Sequence, residues 1–290
     1  MPATKSILRY PGGKSQMAPF VESMLLLNHF RNTIYCEPFC GGAGIAFKLL
    51  FDKKVNSIIL NDFDIAIYSI WYAAVYDSEK LIQYIKNTDI NIEEWKKQKG
   101  IYDDLKMIDH YDFDLAFASF FLNRTNRSGI LTGGPIGGYA QDSRYLLNCR
   151  FNKTNLIKKI SMIHSKKESI HLYNLDAIHF INEIIPRFPR ERLFIFFDPP
   201  YVSQGKNLYK NNLSMADHER LAENIQSLEH NYWITTYDNI DYIKDLYHDS
   251  CGYLYKINYA ANTKREEYEL LFCSPVTQIH SYGNVSLETF

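Results

Sequence analysis

An acid, two prolines and an aromatic residue stand in a row at Asp198-Pro199-Pro200-Tyr201, directly behind the apolar run Leu193-Phe194-Ile195-Phe196-Phe197. Such a run, closed by prolines, reads as a buried strand, and in open α/β sheets ligands bind beyond the carboxyl ends of the strands. The tetrapeptide therefore points into a cleft. Its chemistry suits a planar aromatic amine, whose lone pair is delocalised into the ring and attacks poorly. A carboxylate from Asp198 and a backbone carbonyl at Pro199 that accept the two N–H groups would restore tetrahedral character and aim the lone pair at an electrophilic methyl group. Pro199 and Pro200 fix φ and carry no N–H, which leaves neighbouring carbonyls to face a substrate. Tyr201 offers a flat face for an extruded base. Without that context the same residues make a proline turn with Asp198 as its cap.

A second cluster is Glu37-Pro38-Phe39-Cys40-Gly41-Gly42-Ala43-Gly44, set between an apolar Ile34-Tyr35-Cys36 and an apolar stretch to Leu50. This reads as strand, glycine loop and helix. Glycines after a first strand let the backbone approach a bound cofactor, so Glu37, Pro38, Phe39, Gly41 and Gly44 are candidate cofactor contacts. The dinucleotide pattern G-x-G-x-x-G fails, because Phe47 takes the place of its last glycine. Ser57-Ile58-Ile59-Leu60-Asn61-Asp62 reads as a second buried strand. Asp62, about twenty residues beyond the glycines, stands where an acid can hold ribose hydroxyls; the alternative is a helix cap shared with Asp64. A third cluster, Leu8-Arg9-Tyr10-Pro11-Gly12-Gly13-Lys14, misses the G-x-x-x-x-G-K-[ST] pattern and follows no strand. By itself it is explained by a turn before a helix over 15–27.

The elements that must position these clusters follow from the pattern around them. Two strands joined by a helix imply a parallel sheet. Sheet pattern resumes at Ile170-His171-Leu172-Tyr173, at the run before Asp198 and at Tyr232-Trp233-Ile234-Thr235-Thr236, and residues 253–259 and 268–273 make a closing antiparallel hairpin. Ser214-x-x-Asp217 opens a helix to about residue 228. Helical periodicity dominates from Ile65 to Leu122, and a loop with Gly129, Gly133, Gly134, Gly137 and Gly138 follows. The expected organisation is an α/β domain over 1–64 and 166–290, interrupted by a helical insert over 65–165.

The 290 residues are 46% hydrophobic and 22% charged, an ordinary globular balance with room for a full core. Cys36, Cys40, Cys149, Cys251 and Cys273 are odd in number and form no C-x-x-C pair, which points to free thiols rather than zinc or a redox couple. No apolar run reaches membrane-span length and no secretory leader is apparent, so a cytoplasmic protein is expected. The net charge of −1 hides an asymmetry. Between Arg124 and Glu168, nine cations (Arg124, Arg127, Arg144, Arg150, Lys153, Lys158, Lys159, Lys166, Lys167) face only Asp142 and Glu168, about +7 against about −8 elsewhere. Such a zone suits the phosphates of a nucleic acid; a solvated helix face accounts for only some of it.

Taken in order, R-Y-P-G-G-K, E-P-F-C-G-G-A-G, N-D, a helical insert with F-L-N-R, and D-P-P-Y resemble the Dam-like (D12 class, alpha arrangement) family of N6-adenine-specific DNA methyltransferases. Thr263-Lys264-Arg265-Glu266-Glu267-Tyr268-Glu269-Leu270-Leu271 is similar to that family's late T-R-x-x-x-x-E-L-L stretch, so the resemblance runs from Leu8 to about Pro275. It implies a class I S-adenosylmethionine-dependent methyltransferase fold, a Rossmann-like seven-stranded sheet with a helical target-recognition insert. It also implies S-adenosyl-L-methionine as cofactor, no metal, and double-stranded DNA as substrate. Tyr10, Lys14, Asp62 and Asp198 match the family's cofactor-site positions, with Tyr10 in place of a commoner tryptophan, and Arg9 stands where relatives carry a DNA-reaching lysine. Residues 121–129 fall where relatives insert a loop into the duplex, but depart from the pattern of the GATC-reading members. Asn123, Arg124, Asn126 and Arg127 there, with Arg144 and Lys153 of the basic zone, complete the candidate DNA contacts.

The resemblance further implies a bacterial cytoplasm or nucleoid, or a phage-infected cell. A cognate restriction endonuclease would be a functional, not necessarily physical, partner. The competing readings are cytosine N4 or RNA methylation on the same scaffold, a non-catalytic DNA-binding relative, and a nicotinamide-dependent oxidoreductase, the last disfavoured by the missing glycine.

Overall fold

Eight strands form among the described residues, against the seven expected: β1 (Ile34–Glu37), β2 (Ser57–Asn61), β3 (Ile170–Tyr173), β4 (Leu193–Phe197), β5 (Tyr232–Asp238), β6 (Cys251–Ile257), β7 (Glu269–Cys273) and β8 (Val285–Thr289). The computed structural model describes residues 4–202, 213–257 and 268–290. The chain divides into two compact units. One comprises the described residues up to Gly13 with Asp62–Asn174; the other comprises Lys14–Asn61 with the described part of Leu175–Phe290.

The second unit is built on a sheet in the order β2-β1-β4-β5-β7-β6-β8. β1 pairs in parallel with β2 and β4, and β4 with β5. β1 and β4 are buried along their whole length, which is why they read as unbroken apolar runs rather than alternating ones. β7 then runs antiparallel between β5 and β6, and β8 lies antiparallel to β6 at the edge. The unit is thus an α/β arrangement with a parallel core and a reversed strand, β7, beside β5. Helices α1 (Ala18–Leu27) and α2 (Gly44–Phe51) connect into and out of β1. The expected helix after Ser214 spans Met215–Gln226 and starts with a capping box, Ser214 and Asp217 satisfying each other's backbone N–H groups. β8 escaped the sequence reading because only Val285 of its five residues is buried. Residues 258, 259 and 263–267, part of the expected hairpin and of the late T-K-R-E-E stretch, lie outside the described residues.

The first unit holds β3 and helices α3 (Ile65–Val75), α4 (Ser78–Asn87), α5 (Ile92–Leu105), α6 (Phe113–Thr125) and α7 (Lys153–His164). Side chains of Asp64, Asn91, Asp112 and Asn152 cap four of these helices by accepting a first-turn N–H. The unit is larger than the expected 65–165 insert, because the N-terminal segment up to Gly13 belongs to it. Asn123, 1% exposed on the apolar α6, explains why. Its amide accepts from Arg9 N at 2.9 Å and donates to Arg9 O at 2.8 Å and to Gly129 O at 2.9 Å. Gly129 (φ +81°) passes so close that a Cβ there would sit 2.4 Å from Arg9 O. Lys159 Nζ adds a bond to Ser6 O at 2.8 Å. Asn123 is therefore a backbone clamp, which corrects its expected role in reading DNA.

No helix among the described residues is long and apolar enough to cross a membrane. Replacing Asn123 with Ala strands two backbone groups of Arg9 and should lower the unfolding free energy in urea by about 2–4 kcal/mol. A variant with unchanged stability but weakened DNA binding would return Asn123 to the DNA-reading role.

Candidate active site

Parallel strands bring their carboxyl ends to one edge of a sheet, and an antiparallel neighbour brings its first residue to the same edge. In the second unit that edge collects Glu37 at the end of β1, Asp198 just past β4, Asp238 at the end of β5 and Glu269 at the start of β7. Phe197 is in register with Thr235, so Asp198 lies beside Thr236, whose Oγ1 donates to Asp198 Oδ1 at 2.7 Å. Glu269 is in register with Asp238 on one side and Tyr255 on the other. Asp238 Oδ1 accepts from Val202 N at 3.2 Å and so holds the chain that leaves the tetrapeptide.

Lys14, at the entry to a short helical turn (Ser15–Met17), joins this edge. Its Nζ lies 3.0 Å from Glu269 Oε2, 3.8 Å from Asp198 Oδ1 and 4.7 Å from the centre of the Tyr201 ring. The hydroxyl of Tyr201 donates to Glu269 Oε2 at 2.7 Å, and that of Tyr255 donates to the same oxygen. Of the sequence candidates, Lys14, Asp198 and Tyr201 thus come together. Thr236, Tyr255 and Glu269 were not singled out; the only signal was that Glu269 opens the Glu-Leu-Leu stretch.

Burial pushes the Asp198 carboxyl above its ordinary range; the Lys14 ammonium and the Thr236 hydroxyl pull it back, and the Glu269 charge adds to the rise. Tyr201 and Tyr255 are held far above the usual phenol range, first by burial and then by neighbouring groups that include the carboxylates of Asp198 and Glu269. They remain neutral donors. Glu37 is buried, and its Oε1 accepts from Tyr35 Oη and from Ala46 N in the first turn of α2, both at 3.1 Å. Burial outweighs these bonds and raises its carboxyl to about 8.

The loop after Glu37 turns sharply. Gly41 (φ +43°) and Ala43 (φ +46°) are both left-handed, Ala43 N donates to Cys40 O at 2.6 Å, and Asn61 Nδ2 braces Pro38 O at 2.9 Å. Pro38 is buried beneath the loop and Phe39 is half-exposed. A Cβ on Gly44 would meet the Cβ of Ser15 at 2.8 Å, so packing within the unit already forbids a side chain there. The charge set Asp198, Glu269 and Lys14 carries one net negative charge, a match for a small cationic group such as a sulfonium.

Pro199 is buried and Pro200 half-exposed beside Asp198 in the chain, and the remaining candidates lie in the first unit. Tyr10 is half-exposed and begins a turn closed by Gly13 N donating to Tyr10 O at 3.2 Å. Asp62 is half-exposed; its Oδ1 accepts from Asp64 N at 3.0 Å, and Asp64 alone caps α3 through Ala66 N. Three expected DNA contacts are engaged within the unit itself. Asn126, 0% exposed, accepts from Trp95 Nε1 and donates to Ile130 O and Leu131 O, which uses its whole amide. Arg124 points its guanidinium at the carbonyls of Arg150 and Ile7. Lys153 Nζ donates to Lys86 O and Thr88 O, closing the end of α4. Each residue satisfies buried or terminal backbone groups, a demand invisible in the local sequence. Arg9 is half-exposed and donates to Asn126 O at 2.8 Å, while Arg127 and Arg144 are exposed. Burial and mutual repulsion lower Arg9 and Lys159 and bring Arg124 down to about 10; Arg150 and Lys5 are among the repelling charges. Among the described residues no carboxylate forms an ion pair with any of these five cations.

Residues 10–264 match the family described as D12 class N6 adenine-specific DNA methyltransferase. The chain is 25% identical over 262 residues to the Type II methyltransferase M.MjaIII of Methanocaldococcus jannaschii, covering 84% of this chain and 88% of that protein. Among solved structures it is similar to the rRNA methyltransferase aviRa of Streptomyces viridochromogenes (TM-score 0.39, 10% identity, 95% of this chain and 91% of that one). A second is the SMU.472 methyltransferase in complex with SAH (TM-score 0.37, 13% identity, 90% and 52%).

The raised Glu37 carboxyl has a thermodynamic consequence. A carboxyl near 4.5 when unfolded and about 8 when folded stabilises the protein fully below pH 4.5, and that contribution is lost as pH rises to about 8. Glu37→Gln removes the titration. Its stability relative to the parent should therefore rise between pH 5 and pH 9 in paired thermal melts; a constant difference would contradict the burial of an ionisable Glu37.

Proposed function

This chain belongs to the D12 class N6 adenine-specific DNA methyltransferase family, and we propose that it is a site-specific enzyme that transfers a methyl group from S-adenosyl-L-methionine to N6 of an adenine extruded from duplex DNA. The observation that carries this reading is the Asp198 carboxylate, fixed beyond β4 by Thr236 and flanked but not neutralised by Lys14. One carboxylate oxygen and the Pro199 carbonyl accept the two N6–H groups, which localises the lone pair. Pro200 and Tyr201 shape the wall against the base. The nitrogen becomes cationic as it gains the methyl, so its proton is acidic and leaves without a strong base.

When bound, S-adenosylmethionine supplies an electrophilic methyl on a sulfonium. Lys14, Glu37, Pro38, Phe39, Gly41, Gly44 and Asp198 are the residues proposed to hold it. Gly44 and Glu37 act there through the shape of the loop, since their own contacts are to Ser15, Tyr35 and Ala46. The helical unit is proposed as the target-recognition part. Exposed Arg127 and Arg144 contact DNA directly. Arg9, Arg124, Arg150, Lys159 and Lys5 supply positive charge that no described carboxylate offsets, which suits a phosphate backbone.

Two measurements test this. Asp198→Ala should lower methyl transfer by at least about a thousandfold while leaving duplex binding within about twofold; retained turnover would remove Asp198 from the reaction. Expression in a host lacking adenine methylation, followed by direct long-read detection of modified bases, should return one short motif modified at adenine. For the DNA face, Arg127→Ala with Arg144→Ala should weaken binding across all sequences and reduce the slope of log affinity against log salt by about 2. An unchanged slope would exclude both as phosphate contacts.

A further inference from the structure

Glu269 Oε2 is an unusual atom, because three donors from three separate segments converge on it: Lys14 Nζ, the Tyr201 hydroxyl and the Tyr255 hydroxyl. A carboxylate that serves only to anchor a strand end has no need of three. Lys14 is the informative partner. Its ammonium lies between two carboxylates and is 0.8 Å nearer to Glu269 (3.0 Å) than to Asp198 (3.8 Å). The side chain of Lys14 is 9% exposed against 27% for Asp198 and 25% for Glu269, so the cation is the most buried member of the trio and is poorly screened.

This matters because of what Asp198 has to do, on the reading given above that it accepts the amino N–H. A carboxylate in full contact with an ammonium is a weaker acceptor, and its charge is already spent when positive charge develops on the nitrogen. With Glu269 drawing the ammonium away, Asp198 keeps a bond from neutral Thr236 and most of its negative charge. The two tyrosines lock Glu269 in place without adding charge. From this arrangement we propose that Glu269 is a positioning residue for methyl transfer: it holds Lys14 back from Asp198, and so leaves the Asp198 carboxylate without a close counter-ion as the acceptor for the substrate amine.

The groups acting on Asp198 are Lys14, Thr236, Glu269, Tyr201, Tyr35, Glu37 and Tyr255. Of these, Lys14 lowers its titration and Glu269 raises it. Loss of the Glu269 charge, with Lys14 relaxing onto Asp198, therefore moves the acid limb of the activity profile to lower pH while the plateau falls. A purely structural lesion would lower the plateau and leave the limb in place.

The test uses the full-length enzyme, a duplex containing its methylation motif and a labelled S-adenosylmethionine donor. Glu269→Gln, which keeps the shape and removes the charge, should lower kcat about tenfold or more, change KM for DNA less than about threefold, and shift the acid limb downward. Glu269→Asp should keep the limb near its original pH. The double variant Lys14→Met with Glu269→Gln, assayed at saturating donor, should turn over faster than Glu269→Gln alone, because the neutralising cation is gone. Parental kcat and limb in Glu269→Gln would overturn the proposal. So would a fall in kcat with an unmoved limb and a double variant no faster than the single. If Glu269→Gln does not fold, the decision passes to Glu269→Ala, which also removes the charge: an acid limb displaced to lower pH supports the proposal and a fixed limb overturns it. Asp198→Ala separates this result from the reading beneath it, since an active Asp198→Ala variant removes that reading whatever Glu269 does.

Discussion

A half-buried negative charge must be offset without being extinguished, and the sheet unit is organised around that requirement. Asp198 lies just past the end of a fully buried apolar strand, and burial alone would drive it toward its neutral acid. Two partners oppose this, a hydroxyl on the neighbouring strand and an ammonium that a second carboxylate holds slightly away. The second carboxylate can be there only because β7 runs against the grain of the sheet. Had β7 been parallel to β5, its first residue would lie at the opposite edge, and Glu269 could not face Asp198. The reversed strand is thus an electrostatic device as much as a topological one.

The helical unit meets a different problem with similar means. Its long apolar helix α6 ends in Asn123, Arg124, Thr125 and Asn126, polar residues that cannot be buried unsatisfied. The chain resolves this by giving them backbone groups to bind, including those of a segment more than a hundred residues away in sequence. Cations of the same region are spent on carbonyl oxygens rather than carboxylates, which fixes loops while leaving their charge in place. Structural and electrostatic duties are carried by the same side chains.

How much of this was legible in the sequence depended on whether a feature is local. Asp198-Pro199-Pro200-Tyr201, the glycine loop and both flanking strands are contiguous and were read with nearly correct limits. Lys14 was recognised by its motif, but its partners were not, because Glu269 and Thr236 meet Asp198 only through strand pairing. Residue type alone makes Asn123 and Asn126 look like DNA readers. A clue lay beside them: a helix with Phe113, Leu115, Phe117, Phe120, Phe121 and Leu122 is apolar on every face, so an asparagine at its end is bound to be buried and bonded inward. β8 was missed for the opposite reason, being an edge strand with too little burial to leave a pattern.

The division of the chain has an architectural corollary. The backbone passes between the two units three times, after Gly13, after Asn61 and after Asn174, so neither unit is a continuous segment. Residues 4–13, which by position look like a dispensable leader to the sheet, are stapled into the helical unit through Ser6, Ile7 and Arg9. Trimming the amino terminus would therefore injure the unit farther along the sequence rather than the one that begins at Lys14. An exchange of the helical unit between relatives would have to carry those residues with it, as a two-piece graft.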